Sequence, residues 1–579
     1  MAFETIPHKI LRAGRERGAV DAYAARTETG WAATSWHDYA EEIESAARSL
    51  IALGVDAGSP VAILGTNTPE WVVFDVAAMA IGAMPAGIYP TNSPDECAYV
   101  INHSQSPVVL VQNETQLAKI LEKRADLPTL RHVVLMPGVS SDDMGVLTWD
   151  EFLSRGEGVD TAEVDRRLGA LGPRDGATLI YTSGTTGPPK AVVLSHEALV
   201  ATAESIKSFL DVGPSDSAVS YLPLSHIAEQ LVSIHTPAVM GHAVYYEPDI
   251  FRLADTLKEV RPTAFFAVPR VWEKFYGAVT EKLGEASGVK AAIAGRAQAV
   301  GREHTAALNR GEQPGGVLSA QYRLFDKLVY SKVKDAMGLD RVWLTLSGAA
   351  PLSPAIAEFF AGFGMQILNI YGQSENVAGT AWSRSGQNRY GSVGPAFPGT
   401  DLRITDDGEI LTRGPNVFTG YLHNSEATAA TLDSEGWLHT GDVGHVDDDG
   451  RLFVTDRKKD IIITAGGENV TPALLEMELQ TDPLVSIAVV IGEGRPYLTA
   501  LFSVDPEATE GMGKDDLQAA VQVAVDGVNA GVARVRQLKE FTILDRPLSI
   551  DGGELTPTLK VKRKVVREHF ADEIEAMYA

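Results

Sequence analysis

The chain holds a single cysteine, Cys97, among 579 residues. One thiol makes neither an internal disulfide nor a cysteine zinc cluster, and a reducing compartment fits that usage. Basic residues are scarce beside acidic ones: 50 Lys and Arg stand against 76 Asp and Glu, a formal net charge of −26. Nucleic-acid binding needs a basic face, so no nucleic-acid partner is expected. An anionic substrate must be met by locally concentrated positive charge. Long hydrophobic runs are missing too. The apolar stretch 76–84 ends at Pro85, far short of a membrane span. The start, MAFETIPHKILRAGRERG, lacks the apolar core of a signal peptide. These absences predict a cytoplasmic protein with no transmembrane segment. Peripheral membrane contact and oligomeric state stay open.

Hydrophobic residues make up 45% of the chain, an ordinary globular share, and the length exceeds what one core supports. From Tyr39, YAEEIESAARSLIALGV places Ile43, Ala46, Ala47, Leu50 and Ile51 at helical spacing. PVAILG and PVVLVQ read as short buried strands, with the apolar helix EWVVFDVAAMAIGAMPAG and the helix SPDECAYVINHS between them. Strand and helix in alternation predict a parallel α/β sheet. AVSYLPLS, HAVYYEP, TAFFAVP and RVWLTLSG extend the pattern. Residues 284–316, rich in Ala, Gly and Arg, read as a surface helix followed by a Gly/Pro loop. After Arg389 the texture shifts to turns and short strands, with DDG and DDDG marking antiparallel hairpins. The expected fold is α/β: a large N-terminal domain over 1–455, built of α/β subdomains plus a β-rich subdomain, a linker at 456–461, and a small C-terminal α+β domain over 462–579.

Between two apolar strand-like segments lies YTSGTTGPPK, residues 181–190. Gly lets backbone approach a ligand closely, and Pro188 and Pro189 stop regular pairing. What remains is a loop of amides, the hydroxyls of Thr182, Ser183, Thr185 and Thr186, and Lys190. That inventory suits phosphate, though Gly/Ser/Thr clusters are more often plain surface turns. The P-loop pattern fails here: Pro189 stands where its second Gly is required, and Ala191 where Ser or Thr must follow the lysine.

Other stretches are ambiguous singly. YLPLSHIAEQ carries His226, and a lone His is usually a satisfied structural group. LSGAAPLS runs a strand into small residues at Gly348, Ala349 and Ala350, permitting flat packing against backbone. NIYGQSE sets Tyr371, Gly372, Ser374 and Glu375 together: an aromatic that can stack on a base and a carboxylate that can hold Mg²⁺. HTGDVG places Asp442 in a turn where it can bind ribose hydroxyls, and DRKKD adds Arg457 and Lys459. LTPTLKVKRK holds Lys560 in a basic run that is ordinarily a solvated face.

In their order along the chain, YTSGTTGPPK, YGQSE, TGD, DRKKD and LTPTLK resemble the adenylate-forming superfamily: acyl-CoA synthetases, the adenylation domains of peptide synthetases, and firefly luciferase. YLPLSHIAEQ, EVRPTAFFAVPRVWEKF and LTPTLKVKR are most similar to long-chain fatty acid–CoA ligases of the bubblegum type. The resemblance implies ATP, CoA and a fatty acid as substrates, with Mg²⁺. It implies that Thr182, Ser183, Gly184, Thr185, Thr186, Gly187 and Lys190 grip the β- and γ-phosphates. Tyr371 and Gly348–Ala350 would lie on adenine, Ser374 and Glu375 would meet phosphate and Mg²⁺, and Asp442 and Arg457 would hold the ribose. Ser374 stands where Thr is usual, with the hydroxyl kept. Lys560 would bridge the carboxylate and the α-phosphate, on a C-terminal domain that is mobile about Lys459. Gly466 and Gly467 would pass near the CoA arm, unless they only make a turn. His226 and Trp272 would belong to the acyl site, with Trp272 either a gate or a core residue. No cysteine nucleophile is needed, so Cys97 is read as structural. The alternatives are an acyl- or aryl-AMP ligase serving a carrier protein, an aromatic-acid CoA ligase, and a catalytically dead scaffold.

Overall fold

Strands Pro60–Leu64 and Val108–Val111 are almost wholly apolar, and strands of that kind are buried on both faces. They form the middle of an eight-stranded sheet in the computed structural model of the chain, which describes residues 3–182, 188–556 and 559–579. Pro60–Leu64 pairs in parallel with Met84–Ile88 on one side and Val108–Val111 on the other. Helices cover the faces. Trp36–Ala52 starts where the Ser35 side chain accepts from the Asp38 amide, a standard N-cap. Pro69–Ala80 is buried at every position from Trp71 to Ala80, so it is a core helix without a polar face.

The sheet is not parallel throughout. Gly176–Thr182 continues the parallel order beside Met84–Ile88, then pairs antiparallel with Lys190–Ser195, with Thr182 opposite Lys190. The phosphate-loop candidate therefore spans the two arms of a hairpin. Ser183, Gly184, Thr185, Thr186 and Gly187 lie outside the described residues.

Two four-stranded sheets follow. One orders Ser217–Ser220, Ala243–Tyr246 and Asp21–Thr27 in parallel, with Gly30–Ser35 antiparallel at the edge. The other orders Ala264–Ala267, Leu344–Ser347 and Ile367–Tyr371 in parallel, ending in Ala381–Trp382. The strand in AVSYLPLS stops at Ser220, short of its proline. A five-stranded antiparallel sheet then collects Asp401–Ile404, Glu409–Arg413, Leu438–Val446, Arg451–Arg457 and Gly394–Pro395, the β-rich region expected after Arg389. Cys97 is buried in the helix Pro94–Ser104, and burial pushes its thiol up to about 12.

Beyond residue 461 the chain builds separate cores. Val485–Ile491 pairs antiparallel with Leu498–Val504, which pairs in parallel with Leu538–Ile543. Leu479, Val490, Phe502, Val521 and Val525 fill one side of this sheet. Leu501, Val566 and Phe570 fill the other. This α+β unit meets the larger part through Arg270, whose guanidinium donates to Ser486 Oγ and to Asp505 Oδ2, both at 3.1 Å.

Candidate functional site

Where the third sheet, the antiparallel sheet and the C-terminal unit meet, they enclose a cleft of about 2040 Å³. Its floor is set by strand register. Leu438–Val446 and Arg451–Arg457 pair so that Asp442 lies directly opposite Arg457. Arg457 Nε reaches Asp442 Oδ1 at 3.2 Å. Tyr371, at the end of Ile367–Tyr371, donates its hydroxyl to Asp442 Oδ2 at 2.7 Å. Gln373 Nε2 donates to the same oxygen at 2.7 Å and to the Thr440 carbonyl at 2.7 Å. Burial, and then the neighbouring Asp442 anion, hold the Tyr371 phenol well above its usual pKa, so it stays protonated and donates.

Small residues keep this floor open. A Cβ on Gly372 would sit 2.1 Å from the Ala378 carbonyl carbon, so no other residue fits there. A Cβ on Gly348 would come within 3.2 Å of the Phe266 ring. Ala349 takes a left-handed φ of 69°, which turns the chain out of strand Leu344–Ser347 along the cleft.

On the adjoining wall, Ser374 opens the short turn Ser374–Asn376, and Glu375 Oε1 accepts from the Tyr421 hydroxyl at 2.8 Å. Lys190 Nζ lies 4.8 Å from the centre of the same tyrosine ring. Tyr421 thus ties the lysine of the loop to the carboxylate of YGQSE. Thr182 also lines the cleft.

Lys560 enters from the C-terminal unit. Its backbone is fixed by reciprocal bonds with Thr556: Lys560 N–H donates to Thr556 Oγ1 at 3.0 Å, and Thr556 N–H to the Lys560 carbonyl at 2.8 Å. The side chain keeps solvent contact because the cleft is open, yet protein surrounds it. That enclosure, and then Arg457, lower its pKa, while Asp442 and Glu375 oppose the shift. His226 lies close enough to sense the same ammonium. Burial first, then Lys560, pushes its imidazole down to about 3, so it is neutral. Its Nδ1 accepts from the Ala228 amide at 3.2 Å, which places the proton on Nε2.

From this junction the cleft continues between apolar walls that include Ile206, Leu210, Leu231, Val232, Met240 and Phe266. Trp272 is not part of those walls. It is fully buried against Phe265, Phe275 and Phe360, with Nε1 donating to the Leu346 carbonyl at 3.3 Å. The aromatic core outcompetes the gate position because burial of so large a ring with its N–H satisfied is strongly favourable. Gly348, Ala349, Ala350, Gly372 and Lys459 line the cleft, whereas Gly466 and Gly467 do not. Those two glycines form an exposed turn between Thr464 and Glu468, with Gly467 at φ 82°. Gln373 and Tyr421 are site residues that motif reading missed. Gln373 sits inside YGQSE itself, whereas nothing in the sequence near Tyr421 signals its position.

Comparison with known proteins shows the family of the chain. Residues 12–422 match the model of the AMP-binding enzyme family, and residues 459–579 match that of the AMP-binding enzyme C-terminal domain. The chain belongs to the AMP-binding enzyme family. Among its curated relatives is the long-chain-fatty-acid–CoA ligase FadD15 of Mycobacterium bovis, 38% identical over 95% of this chain and 92% of the relative. The long-chain-fatty-acid–CoA ligase ACSBG2 of Xenopus laevis is 35% identical over 96% of this chain and 81% of the relative. The same fold occurs in the A-PCP didomain of carboxylic acid reductase from Segniliparus rugosus in complex with AMP: TM-score 0.79, 20% identity, 100% of this chain and 82% of that one. It occurs also in the anthranilate CoA ligase AuaEII, with TM-score 0.74, 21% identity, and 99% and 98% of the two chains covered. In this AMP-binding enzyme no described helix is long and apolar enough to cross a membrane.

Proposed function

We propose that the protein is an ATP-dependent, AMP-forming long-chain fatty acid–CoA ligase, an acid–thiol ligase. The observation that carries this reading is the junction at Lys560. One continuous cleft joins the polar floor around Asp442 to an apolar extension, and Lys560, from the C-terminal unit, lines it together with Asp442 and His226.

A carboxylate is a poor acyl donor because its oxide leaves badly. Activation replaces that oxide with AMP. A fatty carboxylate oxygen attacks the α-phosphorus of ATP, a new P–O bond forms, the α–β phosphoanhydride bond breaks, and pyrophosphate leaves. Both reactants are anionic, and Lys560 offsets their repulsion as a preorganised point charge. The CoA thiol then gives up its proton and attacks the acyl carbon, and AMP departs with the acyl C–O bond electrons. The apolar walls take the hydrocarbon chain, and the neutral His226 can donate Nε2–H at its carboxylate end. Asp442 and Arg457 hold the ribose, with Tyr371 and the backbone at 348–350 against adenine.

The described residues of the cleft form no ready-made cation cage. Among the described residues, the one cluster of three metal-type side chains is His37, Asp38 and Glu41, on an exposed helix face elsewhere. Glu375 therefore fits as a single protein ligand for an Mg²⁺ held mainly by nucleotide phosphates and water, the usual pattern for this ion. When bound, Mg²⁺ supplies neutralising charge on those phosphates. Lys190 and the loop residues 182–187 would grip the same phosphates.

The division into 1–455, 456–461 and 462–579, with Lys459 at the pivot, lets one small domain deliver Lys560 for the first step and a different face for the second. On that reading Gly466 and Gly467 reach the CoA arm only after rotation, which is consistent with their place on an exposed turn away from the cleft. A reducing, cytoplasmic setting suits the buried, unpaired Cys97.

The test is a screen of purified protein with ATP, Mg²⁺ and CoA across saturated acids from short to very long, with aromatic acids as controls. AMP and thioester are followed together. The expected result is equimolar AMP and acyl-CoA, greatest for long chains. Adenylate that accumulates without transfer to free CoA would instead favour a carrier-protein acceptor. A preference for aromatic acids would overturn the acyl-chain assignment.

A further inference from the structure

We infer that the outward face of the helical excursion around residues 316–332 docks on anionic lipid bilayers. Helix Gly316–Phe325 contains no buried residue at all. Its inward side is held by Tyr322 and Phe325, which pack on the third-sheet core, with Tyr322 stacked on His304 at 3.9 Å between ring centres. A surface helix of this kind should present polar residues outward. Here Val317, Leu324 and Leu328 point away from the core, at 77%, 55% and 48% exposure. Their spacing of seven and then four residues puts them in one stripe. The helix is therefore apolar on two sides, and among the described residues only one of them has a partner.

Charge identifies what covers the other side. Residues 316–332 carry three cations, Arg323, Lys327 and Lys332, against one carboxylate, Asp326, a net +2 inside a chain of net −26. Arg323 and Lys327 flank the stripe and are themselves exposed, and among the described residues neither is within ion-pair distance of a carboxylate. An apolar stripe edged by unpaired cations is the pattern of an interfacial helix, whose side chains enter the headgroup boundary while its cations meet anionic lipid. A second copy of the chain fits less well, since pairing this face with itself would bring cations against cations. The placement is also useful. Helix Pro269–Gly284 leads into the excursion, and its first turn, with Pro269, Arg270 and Glu273, lines the cleft. Docking there would hold the cleft near the phase in which long-chain acids dissolve. That benefit rests on the proposed ligase reading, but the docking itself does not.

The experiment is vesicle flotation of the full chain without ATP, CoA or acid, so it is independent of whether the ligase reading survives. Vesicles of phosphatidylcholine with phosphatidylglycerol are compared with phosphatidylcholine alone. The inference predicts binding to the anionic vesicles, weakening as salt is raised, and a loss of about tenfold or more in affinity for Leu324→Glu/Leu328→Glu. Turnover on a water-soluble medium-chain acid should stay at the wild-type rate in that variant. Arg323→Gln/Lys327→Gln, which alters only exposed charge, should lose anionic-vesicle affinity even if the leucine variant folds poorly. Absence of vesicle binding by the wild type would overturn the inference. So would binding that ignores lipid charge and both substitutions. A wild-type dimer in sedimentation that Leu324→Glu/Leu328→Glu dissociates would assign the stripe to a second copy instead.

Discussion

The floor of the cleft and the lysine that completes it are held in opposite ways. Asp442 is fixed by strand register and three donors, Tyr371, Gln373 and Arg457, all from one continuous part of the chain. Lys560 belongs to a unit with its own cores, and that unit is clasped to the rest at Arg270 by contacts on a partly exposed rim. A nucleotide pocket benefits from rigidity because its ligand contacts are the same throughout. A cation needed for only one of two steps benefits from arriving and leaving. The difference in anchoring fits the proposed division of labour, in which the floor binds nucleotide and the docked unit decides which reaction runs.

The contrast is broken most severely from below the floor. Trp272→Ala removes the largest ring of the aromatic cluster that supports strands Ala264–Ala267 and Leu344–Ser347. It should cost about 3–5 kcal/mol of stability, read as a fall in melting temperature, with acyl-chain preference unchanged. A changed preference at wild-type stability would restore Trp272 to the tunnel. Next, Lys560→Ala should slow adenylation by at least ~10²-fold, measured as pyrophosphate release, while leaving melting unchanged, because the side chain is not packed in a core. Arg270→Ala loosens the clasp. Half-buried ion pairs of this sort are worth about 0.5–1 kcal/mol, so a loss of roughly two- to fivefold in adenylation kcat/KM is expected.

Much of the site could be read from residue order. The motifs that carry Lys190, Glu375, Asp442, Arg457 and Lys560 stand in the sequence, and all five residues meet at one cleft. What could not be read was pairing. Nothing in HTGDVG or DRKKD says that Asp442 and Arg457 lie opposite each other, since register depends on a bulge between Val443 and Gly444. Tyr421 was invisible because its role depends on a two-residue edge strand docking beside Lys190–Ser195. Trp272 was ambiguous because residue type does not say which way a ring faces. The alternating strands and helices were legible from their periodicity.

The smallest effect separates the two regions by pH. Three buried histidines, His196, His235 and His242, and the half-buried His226 all lie in the larger part, with desolvation lowering their pKa values to about 4, 3, 4 and 3 respectively. Each is neutral when folded and takes up a proton on unfolding below its ordinary value near 6.5. Their contribution is fully present above that value and is lost as pH falls from about 6.5 towards 4. Melting of the larger part, followed by tryptophan fluorescence, should therefore drop over that range. Asparagine at one of these positions should flatten the slope; an unchanged profile would remove the histidines from the account.

The most direct test of the role of Lys560 is to time the two half-reactions separately in Lys560→Ala. Pyrophosphate release from ATP and fatty acid reports the first, and thioester formation from synthetic acyl-adenylate and CoA reports the second. The prediction is a first step slowed at least ~10²-fold beside a second step at close to the wild-type rate. Equal slowing of both steps would contradict it, and would make Lys560 a residue needed throughout.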